Sequence, residues 1–232
     1  MSNGGVGFTA KLVGVFTSPR KAFESVVEGD LRKGAALVLL VAVLSAWAGI
    51  VYASKMDLSL MGLGSGSAGR FFGPGFQGAT GIGQETIRSG LIYSTAIRNG
   101  LQAFSRWLVP SLLILLVAKI YMGEGSARRM LAMTGFAQSP LLAQQLLRMM
   151  DAYTIASPQL TSVIASRALG SGLAWTILNQ ALDVFTVFGI ATVVLTAFAV
   201  SVNYGAAAKR AAIVAISSYL IYILLRTFVP IV

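Results

Sequence analysis

One segment constrains this chain more than any other: Gly34 to Ser54 is uninterrupted and uncharged, with Arg32 and Lys33 before it and Lys55 after it. A run of about 20 apolar residues, coiled as a helix, matches the roughly 30 Å hydrocarbon core of a bilayer. Inside that core each backbone N–H and C=O must be satisfied within the segment, which selects a helix over open strands. Comparable runs recur along the chain. Of its 232 residues 56% are hydrophobic and 11% are charged, against roughly 25% charged in a soluble domain. The expected fold is therefore all-α: a polytopic membrane protein, a bundle of five transmembrane helices with N-terminal interfacial amphipathic helices. The spans are expected at about 34–54, 103–122, 130–147, 174–200 and 211–229. Residues 1–33 form a cytoplasmic amphipathic segment, and 34–232 the membrane domain, with a Gly-rich outer loop at 55–83 and an amphipathic helix at 84–107.

Composition also excludes. The net charge of +10 invites a nucleic-acid reading, but the cations are scattered between apolar runs and form no basic stripe with interleaved aromatics. Lys and Arg at helix ends and in cytoplasmic loops have a topological explanation. The chain has no Cys and no His, so disulfides, the usual zinc and haem ligand sets and His-based triads are all missing. No catalytic residue, metal or cofactor is expected. Met1 to Arg32 lacks a compact apolar core followed by a small-residue cleavage site, so no cleavable signal peptide is expected. Gly64, Gly66 and Gly69 make a literal G-x-G-x-x-G. A dinucleotide site would need a preceding strand and a following helix; here a membrane helix precedes and more Gly with a Pro follows, which reads as a flexible linker.

Ahead of the first span, Phe8, Leu12 and Phe16 repeat at spacing four, and Ser18-Pro19 restarts the helix with a capping residue and a first-turn proline. Arg20 and Lys21 can meet anionic headgroups if these helices lie on the membrane surface; packing on the cytoplasmic ends of the bundle is the compatible alternative. For five spans starting in the cytoplasm, Lys11, Arg20, Lys21, Arg32, Lys33, Arg128, Arg129, Lys209 and Arg210 fall inside. Lys55, Arg70, Arg88, Arg98, Arg106, Arg148 and Arg167 fall outside. Both short inner loops carry adjacent basic pairs, which favours a multi-pass cell-membrane protein with N-terminus inside and C-terminus outside.

Three stretches resemble the Yip family, the Ypt/Rab-interacting five-span membrane proteins, in its short prokaryotic form. The first is VFTSPRKAFESV, where Pro19 and Phe23 match the opening Pro … Phe segment. The second is MLAMTGFAQSPLL, where Gly135, Phe136 and Pro140 resemble the Gly-aromatic … Pro motif of the middle helix. The third is FGIATVVLTAFAVSVNYGAAAKRAAIVAI, similar to the final helix pair with its Lys-Ala turn. The resemblance implies a non-enzymatic role in membrane organisation, vesicle traffic or scaffolding, with a membrane-protein partner or a second copy of the chain.

Polar groups inside spans give the remaining candidates. A charge at a helix centre costs about 2.5–3.5 kcal/mol on insertion scales, and two stand out, Asp183 and Arg226. Asp183 lies about 26 Å from the inner edge of its span and Arg226 about 22 Å, at roughly 1.5 Å per residue. Depths within one turn, on consecutive spans joined by a short turn, predict an interhelical ion pair; a proton or ion relay is the functional rival. Gln138 and Gln145 share a side of the third span with Thr134 and Leu141, a polar stripe able to face the interior. Pro140 removes a donor there and predicts a kink, with Gln144 able to meet a freed carbonyl. A Yip-like scaffold leads. A small transporter or channel, its path lined by Gln138, Gln145, Asp183 and Asn179, is the alternative.

Overall fold

The computed structural model describes residues 7–56, 84–156 and 173–228, all helices and short connections. The expected Gly-rich loop and the G-x-G-x-x-G lie outside the described residues. In chain order the helices are α1 Phe8–Thr17, α2 Pro19–Glu24, a 3₁₀ turn Glu28–Asp30, α3 Leu31–Lys55, α4 Gln84–Tyr121, α5 Ala127–Ala137, α6 Ser139–Thr154, α7 Leu173–Val184, α8 Val187–Tyr204 and α9 Ala208–Phe228. Among them four segments are long and apolar enough to cross a membrane: Glu28–Lys55, Arg88–Tyr121, Val187–Tyr204 and Ala208–Phe228.

Helix α3 is the central post, packed on α4, α5 and α6. Its small residues Ser45, Gly49 and Ala53 are buried, the spacing that lets membrane helices approach closely. Gly100 of α4 faces Ala46, and a Cβ built on it would lie 3.8 Å from the Ala46 methyl. The opposite side of α3 turns Leu39, Val43 and Trp47 outward, as a lipid-facing surface requires. The amphipathic segment expected at 84–107 leads straight into the second span as one helix of 38 residues with Pro110 inside it. The next residue's hydroxyl, Ser111 Oγ, donates to the Trp107 carbonyl at 2.6 Å, a local bond beside the gap that proline leaves in the ladder.

Two of the expected spans are each divided between two helices. The third, expected as one helix over 130–147, is α5 and α6, with Gln138 as the joint. Pro140 stands in the first turn of α6, where its missing N–H would have no intrahelical partner anyway. The proline thus starts a second helix instead of bending a single one. Gln144 is buried, and its amide oxygen accepts no bond among the described residues. The fourth, expected as one helix over 174–200, is α7 and α8 separated at Phe185 and Thr186. Thr186 caps α8, its hydroxyl accepting from the Gly189 N–H at 3.1 Å.

The α5–α6 pair nevertheless runs the length of α3. At one end Ser126, the cap of α5, donates to the Glu28 carboxylate. At the other, Tyr52 of α3 donates to the Asp151 carboxylate at 2.5 Å, and Lys55 Nζ to the Tyr153 carbonyl at 2.7 Å.

The N-terminal helices pack under the bundle. Val15, Phe23 and Val26 are fully buried in one cluster with Met130, Met133, Phe136, Ala199 and Val200. Arg129 stitches them down, its Nε donating to the Val26 carbonyl at 2.8 Å. Lys11 is turned inward, 4% exposed, and is ion-paired with the buried Asp30, whose other oxygen accepts from Lys33 at 2.7 Å. Val13, Phe16 and Val27 remain exposed.

Candidate functional site

The motif glycine of α5 explains how α3 and α5 cross. A Cβ on Gly135 would lie 2.7 Å from the carbonyl carbon of Gly34, and one on Gly34 would lie 2.7 Å from the Ala132 oxygen. The two backbones touch, which no residue with a side chain permits without displacing a helix. Phe136 is fully buried beside this crossing, its ring 5.8 Å from that of Phe8. Pro140 is buried one turn on, Phe23 lies in the same core cluster, and Pro19 opens α2. Gly135, Phe136 and Phe23 thus meet at one junction of the N-terminal helices with α3 and α5, while Pro19 and Pro140 open the helices α2 and α6.

A second set of residues forms a polar thread between α4 and α9. The Ser111 and Thr134 hydroxyl oxygens stand 2.8 Å apart, and Trp107 Nε1 donates to Thr134 Oγ1 at 3.2 Å. Gln138, at the joint of α5 and α6, donates to the Tyr219 hydroxyl at 3.3 Å. One turn further along α9, the Tyr222 and Ser105 hydroxyls stand 3.4 Å apart. One more turn brings Arg226, whose Nη1 donates to Asp183 Oδ2 at 2.8 Å. The Gln102 side-chain amide lies against the same guanidinium.

The structure therefore brings Asp183 and Arg226 together, and it adds two cations that sequence reasoning placed elsewhere. Arg148 of α6 donates from Nη2 to Asp183 Oδ1 at 3.2 Å. Arg106 of α4, 8% exposed, donates from Nη2 to the Val184 carbonyl at 2.9 Å and from Nη1 to the Asp183 carbonyl at 3.4 Å. These carbonyls close α7 at the break, where a helix C-terminus carries partial negative charge that a guanidinium offsets. Gly189 belongs to this arrangement, because a Cβ there would lie 2.6 Å from Arg106 Nη2. The signals available in the sequence were weak: Arg106 and Arg148 read as outer-end cations, and only their depth beside Asp183 marked them.

Gln145 is buried but is not joined to the thread: its amide oxygen, like that of Gln138, accepts no bond among the described residues. Asn179 is half-buried. The cluster can fix α4, α6, α7 and α9 relative to one another. Asp183 is acceptor to two guanidiniums, an arrangement suited to holding helices and poorly suited to releasing a proton.

Long apolar helices with outward-facing Leu, Val and Ile, and with their ion pairs turned inward, define a polytopic membrane protein. The Yip1 domain family matches residues 13–228, and the chain belongs to that family. No curated protein and no solved structure matches it.

Proposed function

We propose that this protein is a non-enzymatic member of its family that acts in membrane organisation or trafficking, or as a scaffold or accessory subunit for other membrane proteins. The family match over 13–228 carries this reading. The use of Asp183 as a helix tie supports it against a relay, since both carboxylate oxygens are already engaged by arginines.

The α5–α6 pair is read as a fifth, broken crossing, because its two ends reach the two ends of α3. With the N-terminus in the cytoplasm, the C-terminus lies outside the cell membrane. The exposed Val13, Phe16 and Val27 would then dip into the inner headgroup region, next to Arg20 and Lys21. Cysteine replacements test this topology cleanly because the chain has none of its own. Ser2→Cys and Ser126→Cys should be shielded from an impermeant thiol reagent in intact cells, and Ser67→Cys and Ser157→Cys should react. Labelling of Ser126→Cys from outside overturns it.

The scaffold reading is tested by crosslinking in cells, solubilising in mild detergent and identifying what co-purifies. A defined membrane-protein partner or a homo-oligomer is the expected result. The transporter alternative is favoured by the helix joints at Gln138 and Thr186, since discontinuous helices build many transporter sites, and by the unmet oxygens of Gln138 and Gln145. Solute flux in proteoliposomes that Gln138→Leu abolishes, with no partner recovered, would replace the scaffold reading with this one.

A further inference from the structure

On the outer side of α8 and α9, away from the polar thread, an open groove of about 280 Å³ runs between the two helices. Its shape follows from the turn that joins them. Gly205 takes the left-handed conformation, φ +60°, and the Ala206 N–H returns to the Ser201 carbonyl at 3.1 Å. The chain reverses tightly, so residues equidistant from the turn face each other: Ser201 with Ala208, Ala197 with Ala212, Val193 with Ile216. All six line the groove. The alanines leave a channel where larger side chains would interdigitate, and Phe198 forms one wall. From the Ser201 level to the Val193 level is about 12 Å at 1.5 Å per residue, and beyond the Ser201 hydroxyl, which donates to the Ala206 carbonyl at 2.7 Å, the α8 and α9 residues of the lining are apolar.

The mouth differs in character. Arg20 of α2 lines the groove there, because α2 packs against α8. Its Nε bonds Glu24 at 3.2 Å, which leaves both terminal amino groups without a partner among the described residues. Lys21 beside it and Lys209 and Arg210 in the first turn of α9 are exposed. A cationic mouth over an apolar channel is complementary to one kind of molecule in a bilayer. We infer that the α8–α9 groove binds an anionic phospholipid from the leaflet on the α2 side, with an acyl chain along Ala197 and Ala212 and the phosphate on Arg20. Basic pockets at helix ends recognise such headgroups through charge-assisted bonds to guanidinium. The site does not depend on the scaffold reading, and either function is compatible with it.

The test is native mass spectrometry of the full chain, delipidated in detergent and titrated with phosphatidylglycerol or phosphatidylcholine. Expected is at least fivefold tighter retention of phosphatidylglycerol at a single site. Arg20→Gln should bring the two lipids level while Arg20→Lys restores part of the preference. Ala212→Phe, which fills the channel, should remove retention of both; Ala197→Ile is the milder filling variant should that protein not fold. Arg98→Gln, an exposed cation at the far end of the bundle, should change nothing. Equal retention of both lipids by the unaltered protein, or undiminished binding in both filled variants, overturns the site. A lipid-free dimer that the filled variants split into monomers overturns it too and gives the groove to a second copy. Competition by inorganic phosphate without acyl-chain dependence reduces it to an ion site and rejects the lipid.

Discussion

The two ends of the bundle are held by different physics. At the α1–α2 end, backbones meet directly at Gly34 and Gly135, and the space around them is filled by Phe23, Phe136, Met130 and Met133. At the Asp183 end, helices are joined through charges: one carboxylate, Arg226 and Arg148 on its oxygens, and Arg106 on the closing carbonyls of α7. Close packing tolerates almost no change, because tightly packed interiors have no spare volume and backbone atoms cannot rotate away. A multivalent ion cluster degrades in steps, because the loss of one partner leaves another. The first end should respond steeply to any added volume and the second should be a graded joint.

The largest expected effect is at the first end. Gly135→Leu drives a branched side chain into the Gly34 backbone, and the protein should fail to give a monodisperse peak on size exclusion. Gly135→Ala should still fold but lose about 1–3 kcal/mol, the range for overpacking, read as a lower midpoint of thermal unfolding in detergent. Full stability of both variants would show that α3 and α5 do not touch there.

Next comes Arg226→Gln. Removing one partner of a buried pair costs about 3–5 kcal/mol in soluble proteins. Asp183 keeps Arg148 and is about a third exposed (34%), so a loss of about 1–2 kcal/mol is expected, in line with measured interhelical polar contacts in membranes. The cycle of Asp183→Asn, Arg226→Gln and the double variant should be non-additive, the double falling short of the sum. Additive losses would separate the two residues energetically and remove the graded joint.

A smaller effect is expected at the α7–α8 break. Thr186→Ala deletes the hydroxyl that caps α8 and should cost about 1 kcal/mol, seen as faster amide exchange at Val187 to Gly189. Unchanged exchange would mean that Arg106 alone maintains the break. The smallest is Pro140→Ala. Since the proline already occupies the first turn of α6, its removal should shift stability by less than about 1 kcal/mol. A gain of several kcal/mol would mean that a continuous third helix is the relaxed state.

Legibility varied with the kind of signal. Helices α3 and α9 were readable nearly to their ends, because an uninterrupted apolar run in a bilayer has one solution. The breaks were not. Phe185 and Thr186 interrupt α7 and α8 without interrupting the apolar pattern, and Pro140 reads equally as a kink or as a helix start. The Asp183–Arg226 contact was approached through depth counting, which works along an axis but says nothing of which way a side chain turns. Arg106 and Arg148 show that gap: each was a cation near a helix end, free on sequence grounds to extend to headgroups, and each is turned onto α7 instead. Lys11 is similar, since an interfacial and a buried lysine leave the same trace beside Phe8 and Leu12.

By itself the sequence determined the solvent, the helical class, the approximate extent of the apolar segments and the residues that carry family likeness. These follow from local composition and from the cost of placing unsatisfied backbone in hydrocarbon. Only the tertiary structure decided which glycines lie at a backbone crossing, where two helices stop and restart, and which arginines share Asp183. Those outcomes depend on what approaches from elsewhere in the chain: Gly34 is about a hundred residues from Gly135, and Arg106 closes a helix that begins near Leu173. A partner brought by folding leaves no mark in the residues next to the site, so distance along the chain is the physical reason the second set was hidden.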